Sequence, residues 1–366
     1  MKKTNPAQLL LLIPGLLIML LAASCSKGGK PATPTATPKK IGFYEVDSAN
    51  VRELQTVISK IGSKAVSFDM IFDTGSGGLV VDAQGVLPAS MISANGFVFS
   101  GDSTVVDGIT LTNQTTVVQY GADAATLSKV YGNLAYADVT VGDNHGNITV
   151  KRLPFFIYYK AVNANDEVYP AHEFDVLGVS SEYDIYFPNQ AYITSPLAYY
   201  DPGEGLTRGF KIAALGTSNF SEKGTYAAAV TVGLTQADLS SEGFNMILLV
   251  PINGYGYIPL VPGSISYLNQ NFPTEMIFDT GTSPYFFLED ANWPYQPGLL
   301  GAGSRIDIQT STGFKYGYLT SANDNLTVIE NPNTTRGGVS LISLDFFLYN
   351  EYMLDFDNHY LGLKND

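Results

Sequence analysis

Apolar residues in this chain gather in short runs and seldom at the three-and-four spacing of a helix. Val139-Thr140-Val141, Phe155-Phe156-Ile157-Tyr158-Tyr159, Ile247-Leu248-Leu249-Val250 and Tyr257-Ile258-Pro259-Leu260-Val261 are rich in β-branched and aromatic residues. Clusters of Gly, Asn, Asp and Pro separate such runs at intervals of about 8 to 12 residues, the pattern of half-buried strands joined by turns. No helical stripe is longer than about three turns. The pattern predicts an all-β chain, and its 36 glycines and 19 prolines supply the turns.

One stretch occurs twice. Met70-Ile71-Phe72-Asp73-Thr74-Gly75 returns as Met276-Ile277-Phe278-Asp279-Thr280-Gly281. The first copy continues Ser76-Gly77-Gly78-Leu79-Val80-Val81, and the second Thr282-Ser283-Pro284-Tyr285-Phe286-Phe287-Leu288. Each copy predicts an apolar strand, a tight glycine turn and a second apolar strand. A repeat of this length divides the chain into two similar β lobes, 41–235 and 236–366, with Tyr226–Leu234 crossing between them.

A single Asp-Thr-Gly could be a turn cap and nothing more. Two copies, one per lobe, allow a different chemistry. If the lobes pack about a pseudo-two-fold axis, Asp73 and Asp279 meet across it. Carboxylates that close cannot both ionise, so they share one proton. The ionised member then takes a proton from water while the protonated member donates to a carbonyl, which needs neither metal nor cofactor. Thr74 and Thr280 would lock the turns through hydroxyl-to-backbone hydrogen bonds, and Ser76 and Thr282 would bond the outer carboxylate oxygens. Gly75 and Gly281 let backbone approach closely.

On these motifs the chain resembles a bilobal, pepsin-like aspartic protease over nearly all of residues 41–366. Phe72-Asp73-Thr74-Gly75-Ser76 and Phe278-Asp279-Thr280-Gly281-Thr282-Ser283 are similar to the two active-site motifs of that family. Gln119-Tyr120-Gly121 resembles the start of the flap, and Gly132–Gly142 its return strand and the one after. Phe174–Val179 and Leu341–Leu348 resemble the segments threading behind each aspartate. Tyr352–Asp357 and Leu361–Leu363 resemble the family's end, and Val250–Tyr257 the first strand of its second lobe. The resemblance implies two pseudo-two-fold related β-barrel lobes, Asp73 and Asp279 as the catalytic pair, Tyr120 and Gly121 on the flap, and an extended peptide bound in the cleft.

Five departures stand out. Val80 occupies the place of the tryptophan that partners the flap tyrosine. Ser343 stands where the family has glycine, which would strain the turn behind Asp279. Tyr120–Gly132 is longer than the usual flap, and neither the family's disulfides nor a basic prosegment is present.

Residues 1–24 read as a leader. Lys2 and Lys3 precede an apolar stretch, Leu9–Ala23, ending in Leu21-Ala22-Ala23-Ser24-Cys25, which resembles a bacterial lipobox, with Ala22 where Leu or Val is usual. Cys25 would carry the lipid, and residues 25–40, with Pro31, Pro34 and Pro38, form an extended tether. The implied location is the bacterial envelope, the outer membrane by the serine at position 26, with a monomeric body in the periplasm or at the surface.

All 34 acidic residues lie beyond residue 40 with 14 of the 20 bases, so the body carries −20 and would repel nucleic acid. One cysteine excludes a disulfide framework, and three histidines leave little for a metal site. His145, His172 and His359 read as solvated surface residues, Trp293 as a packed corner. The leading function is an endopeptidase. Two alternatives are an inactive protein of the same fold kept as a peptide-binding or inhibitory module, which the loss of the flap tryptophan favours, and a glycan-handling lipoprotein.

Overall fold

The computed structural model describes residues 36–48, 51–121, 127–216, 219–334 and 338–366. Cys25, the leader and the greater part of the tether lie outside the described residues. Ala36–Asp366 forms one compact unit, and it is almost entirely β.

Two sheets are built around the same centre. In the first, Lys64–Asp73 runs parallel to Val176–Val179, which pairs antiparallel with Gly77–Asp82, itself parallel to Gly146–Val162. In the second, Gln270–Phe278 runs parallel to Ser340–Ile342, which pairs antiparallel with Tyr285–Glu289, itself parallel to Leu326–Glu330. The two strands flanking each Asp-Thr-Gly turn are therefore held apart by a third strand threaded between them. That strand must be covered on both faces. Val176–Val179 and Gly77–Asp82 are buried at every position, the mark of central strands with apolar runs. Outer strands alternate instead, as in Arg305–Thr310, where Ile306, Ile308 and Thr310 point inward.

Among the described residues the first sheet has 14 strands and the second eight. The chain's last strands return to the first sheet. Thr225–Leu234 lies between Lys39–Ser48 and Thr207–Ile212, and Thr207–Ile212 pairs with Asn350–Asp355. Asn350–Asp355 pairs with Tyr360–Asn365, which takes Asn245–Leu248 at the edge. A continuous aromatic core follows this junction: Phe43 stacks edge-on against Phe72, Phe72 against Phe210, and Phe210 packs on Tyr352.

Two sequence expectations fail in detail. Tyr257–Leu260 is irregular and the strand begins at Val261, because Pro259 has no N–H for a ladder. Val250–Tyr257 is not a strand. The Ile252 N–H donates to the Gly256 carbonyl at 2.8 Å, closing a turn with Gly254 and Gly256 at φ 87° and 70°.

Candidate active site

Asp73 ends the strand Lys64–Asp73, and Asp279 follows the strand Gln270–Phe278. Both turns meet at the middle of the molecule. The Thr74 N–H donates to Thr280 Oγ1 and the Thr280 N–H to Thr74 Oγ1, each at 3.0 Å. Each hydroxyl also reaches the opposite strand, Thr74 Oγ1 donating to the Phe278 carbonyl at 2.7 Å and Thr280 Oγ1 to the Phe72 carbonyl at 2.6 Å. Both threonines are buried, so these reciprocal bonds fix the separation of the turns.

The carboxyls are oriented by equivalent donors. The Gly75 N–H donates to Asp73 Oδ1 at 2.7 Å and the Gly281 N–H to Asp279 Oδ1 at 2.8 Å. Ser76 Oγ donates to Asp73 Oδ2 at 2.5 Å, and Thr282 Oγ1 donates to Asp279 Oδ2. A Cβ on Gly75 would sit 2.5 Å from the Asp279 carboxyl carbon, and one on Gly281 would sit 2.8 Å from that of Asp73. Each glycine thus makes room for the carboxyl of the other lobe. Burial first, then the charge of Asp73 and a hydrogen bond with its carboxyl, hold Asp279 far above the usual carboxylate range.

Behind Asp279 the expected strain is absent. Ser343 has φ −68° and ψ 173°, an ordinary extended conformation, and its hydroxyl accepts from the Asp345 N–H to cap the short 3₁₀ turn Leu344–Leu348. On the other side Gly178 is needed, since a Cβ there would lie 2.7 Å from the Ser76 carbonyl oxygen.

Tyr120 ends the strand Ile109–Tyr120 and Gly121 follows it; the hairpin partner is Ser128–Asp143, with Tyr120 opposite Ser128. The hairpin tip lies outside the described residues. Tyr120 stacks on Phe174, ring centroids 5.6 Å apart and 22° from parallel. Val80 is buried in a small core under the hairpin with Phe156, Tyr158 and Ile193. The tryptophan's place is filled by aliphatic packing, and Phe174 supports the tyrosine.

Sequence reasoning missed two members of the site. Glu182 and Asp184 follow the threading strand Val176–Val179 and face the Asp73 turn. The Gly77 N–H donates to Asp184 Oδ2 at 3.3 Å. A cavity of about 480 Å³ lies between them and the hairpin, lined by Gly75, Ser76, Tyr120, Glu182, Asp184 and Tyr186 among others. Burial first, then the charges of Asp184, Asp73 and Asp279, push Glu182 up to about 9. Asp184 is exposed at the cavity rim, and crowding by surrounding protein, then the charge of Asp73, raise its carboxyl against the opposing Gly77 hydrogen bond. The signal was the run Ser181-Glu182-Tyr183-Asp184, whose period of two sends alternate side chains to one side.

Two of the three histidines, His172 and His359, are more than solvated surface residues. His172 Nδ1 lies 2.7 Å from the buried Asp175 carboxylate, and its ring packs on Phe68. His359 stacks flat on Tyr257 at 3.5 Å. His145 is exposed and rests on Tyr226. Trp293 packs at the edge of the core, its Nε1–H donating to the Gln296 carbonyl.

No family model matches the sequence, and no curated protein matches it. Among solved structures the chain is similar to the aspartic proteinase from Irpex lacteus, with a TM-score of 0.56 and 14% identity over 88% of this chain and 96% of that one. The chain has the fold of a pepsin-like aspartic proteinase.

Proposed function

We propose that the chain is an aspartic endopeptidase that hydrolyses extended peptides in the cleft between the hairpin and the paired aspartates. The observation that carries this reading is the carboxyl pair: two aspartates brought together across the turns, each held by its own glycine N–H and hydroxyl, with burial and the charge of Asp73 raising Asp279 so that the reading places the shared proton there. Asp279 donates that proton to the scissile carbonyl oxygen, and Asp73 accepts one from the attacking water. The tetrahedral gem-diol collapses as the C–N bond breaks: the amide nitrogen takes the proton from Asp73, a gem-diol hydroxyl returns its proton to Asp279 as it becomes the carboxylic acid carbonyl, and the pair again holds one shared proton. The half-buried Tyr120 closes the cleft above it. In the same reading Cys25 carries a lipid, residues 26–40 tether the domain to the bacterial envelope, and the body acts as a monomer.

The test is cleavage of a mixed peptide library. Asp73→Asn and Asp279→Asn should each abolish turnover with the fold intact, and the double variant should lose no more, since the pair acts as one unit. The pH profile should be a bell. Its acid limb reports protonation of the ionised form of the pair and its basic limb loss of the shared proton. Wild-type protein that cleaves nothing between about pH 3 and 8 would leave a peptide-binding module in place of the enzyme. Palmitate labelling of wild type but not Cys25→Ser tests the anchor.

A further inference from the structure

We propose that Glu182 and Asp184 make the cleft selective for a lysine or arginine side chain beside the scissile bond. The inference rests on the peptidase reading and names the substrate class of the same cleft.

The segment that carries both acids is fixed to the catalytic turn, and Asp184 itself accepts from the Gly77 N–H. The Ser180 N–H donates to the Ser76 carbonyl at 2.9 Å, which hangs the segment on the Asp73 loop. A Cβ on Gly77 would lie 2.8 Å from the Glu182 carbonyl oxygen, so the two stretches touch. From its other side the segment is held by the Tyr183 N–H, which donates to the Tyr255 carbonyl at 2.8 Å. The position of these acids relative to Asp73 is therefore set by backbone.

The cavity they border suits a long cationic side chain. Gly75 and Ser76 on its wall adjoin Asp73, so a side chain entering it belongs to a residue next to the bond being cut. Val118, Tyr120 and Tyr186 in its lining offer apolar surface for an aliphatic stem, and Glu182 and Asp184 in the same lining offer carboxyls for its charged head. No lysine or arginine is among the lining residues, and the hairpin stretch Thr116–Gly121 brings no charge. The groups facing Glu182 and Asp184 are the acids Asp73 and Asp279 and the phenols of Tyr120 and Tyr186.

The electrostatics select in the same direction. An apolar side chain in the cavity would strip water from two carboxyls and offer them no partner, and an acidic one would add repulsion. An ammonium or guanidinium reverses both effects. It also favours the ionised forms, so binding should release a proton from Glu182 at neutral pH, where burial and its acidic neighbours otherwise keep it protonated.

The test uses the full chain and peptide pairs that differ only as lysine or norleucine at each position flanking the bond. At pH 7, lysine should raise kcat/KM by about tenfold or more at one position. Asp184→Asn and Glu182→Gln should each shrink that ratio towards one, and Asp184→Lys should shift preference to a glutamate peptide. The charge reversal keeps the test decisive if a neutral variant folds poorly. Wild type that cleaves both peptides equally, or prefers norleucine, overturns the acidic subsite and leaves the peptidase reading standing. If wild type cleaves neither, the peptidase reading fails, and calorimetry with non-cleavable hydroxyethylene peptides decides the subsite. Tighter binding of the lysine form upholds it, and equal binding overturns it.

Discussion

Glu45 lies wholly inside the protein on the strand Lys39–Ser48. Burial lifts its carboxyl to about 7, with a hydrogen bond to Asn219 opposing the shift. In the unfolded chain it titrates near 4.5. Unfolding therefore releases a proton between those values, and the stability present below pH 4.5 is lost as the pH rises through 7. The loss from this one group is about 3 kcal/mol. Glu45→Gln keeps the shape and removes the titration. Urea denaturation at pH 5 and pH 8 should show the variant gaining on wild type by about that amount at the higher pH; an equal gap at both values would mean that Glu45 is ionised in the folded state.

The threaded strand is the element that makes the site. By separating the two strands that flank each Asp-Thr-Gly, it leaves the turn projecting from the sheet, where the other lobe's turn can reach it. The threonine cross-bonds then join the turns in a buried place where each missing partner is expensive. Thr74→Ala would leave the Thr280 N–H and the Phe278 carbonyl without that hydroxyl. The expected loss is about 2–4 kcal/mol of stability, since an unsatisfied buried group costs about 1–3 kcal/mol. Thr74→Ser should recover most of it in thermal melts. Melting unchanged in Thr74→Ala would show that the cross-bonds do not hold the turns together.

At the scale of the molecule the two sheets are also joined by Arg52. Its Nη1 lies 2.9 Å from Asp345 and its Nη2 3.0 Å from Asp324, both on the far side of the junction, and its N–H donates to Ser283 Oγ at 3.2 Å. Asp345 is nearly inaccessible to water, and burial raises its carboxyl although Arg52 and the Asn325 N–H pull it down. Arg52→Ala strands that charge. About 3 kcal/mol of stability should be lost at pH 7, and less in acid, where Asp345 takes a proton. The bond to Ser283 is made by the main-chain N–H of Arg52 and survives in the variant, so the loss should be read in stability. A denaturation midpoint left unchanged would show that the lobes are aligned without this bridge.

Much of this architecture was legible in one dimension. Repetition exposes Asp73 and Asp279, and the residue types around each follow from what a turn needs: glycine for close approach and hydroxyls for the carboxyl oxygens. The alternation of apolar and polar residues reads as strands because a pleat sends neighbours to opposite faces. The site beyond the turns was not legible. Nothing local in Ser180–Asp184 says that it lies against Gly77, since that proximity depends on a strand threaded from about a hundred residues away. Val80 and Ser343 read as losses by position, yet packing gives Val80 a core and Phe174 stacks on Tyr120, while the backbone at Ser343 turns its side chain into a cap. The sequence alone determined the strands, the paired turns and the acidic balance, because those are set by neighbours along the chain. Only the tertiary structure decided which acids share a cavity and which way their carboxyls are pushed, because burial and charge at a site come from residues remote in sequence.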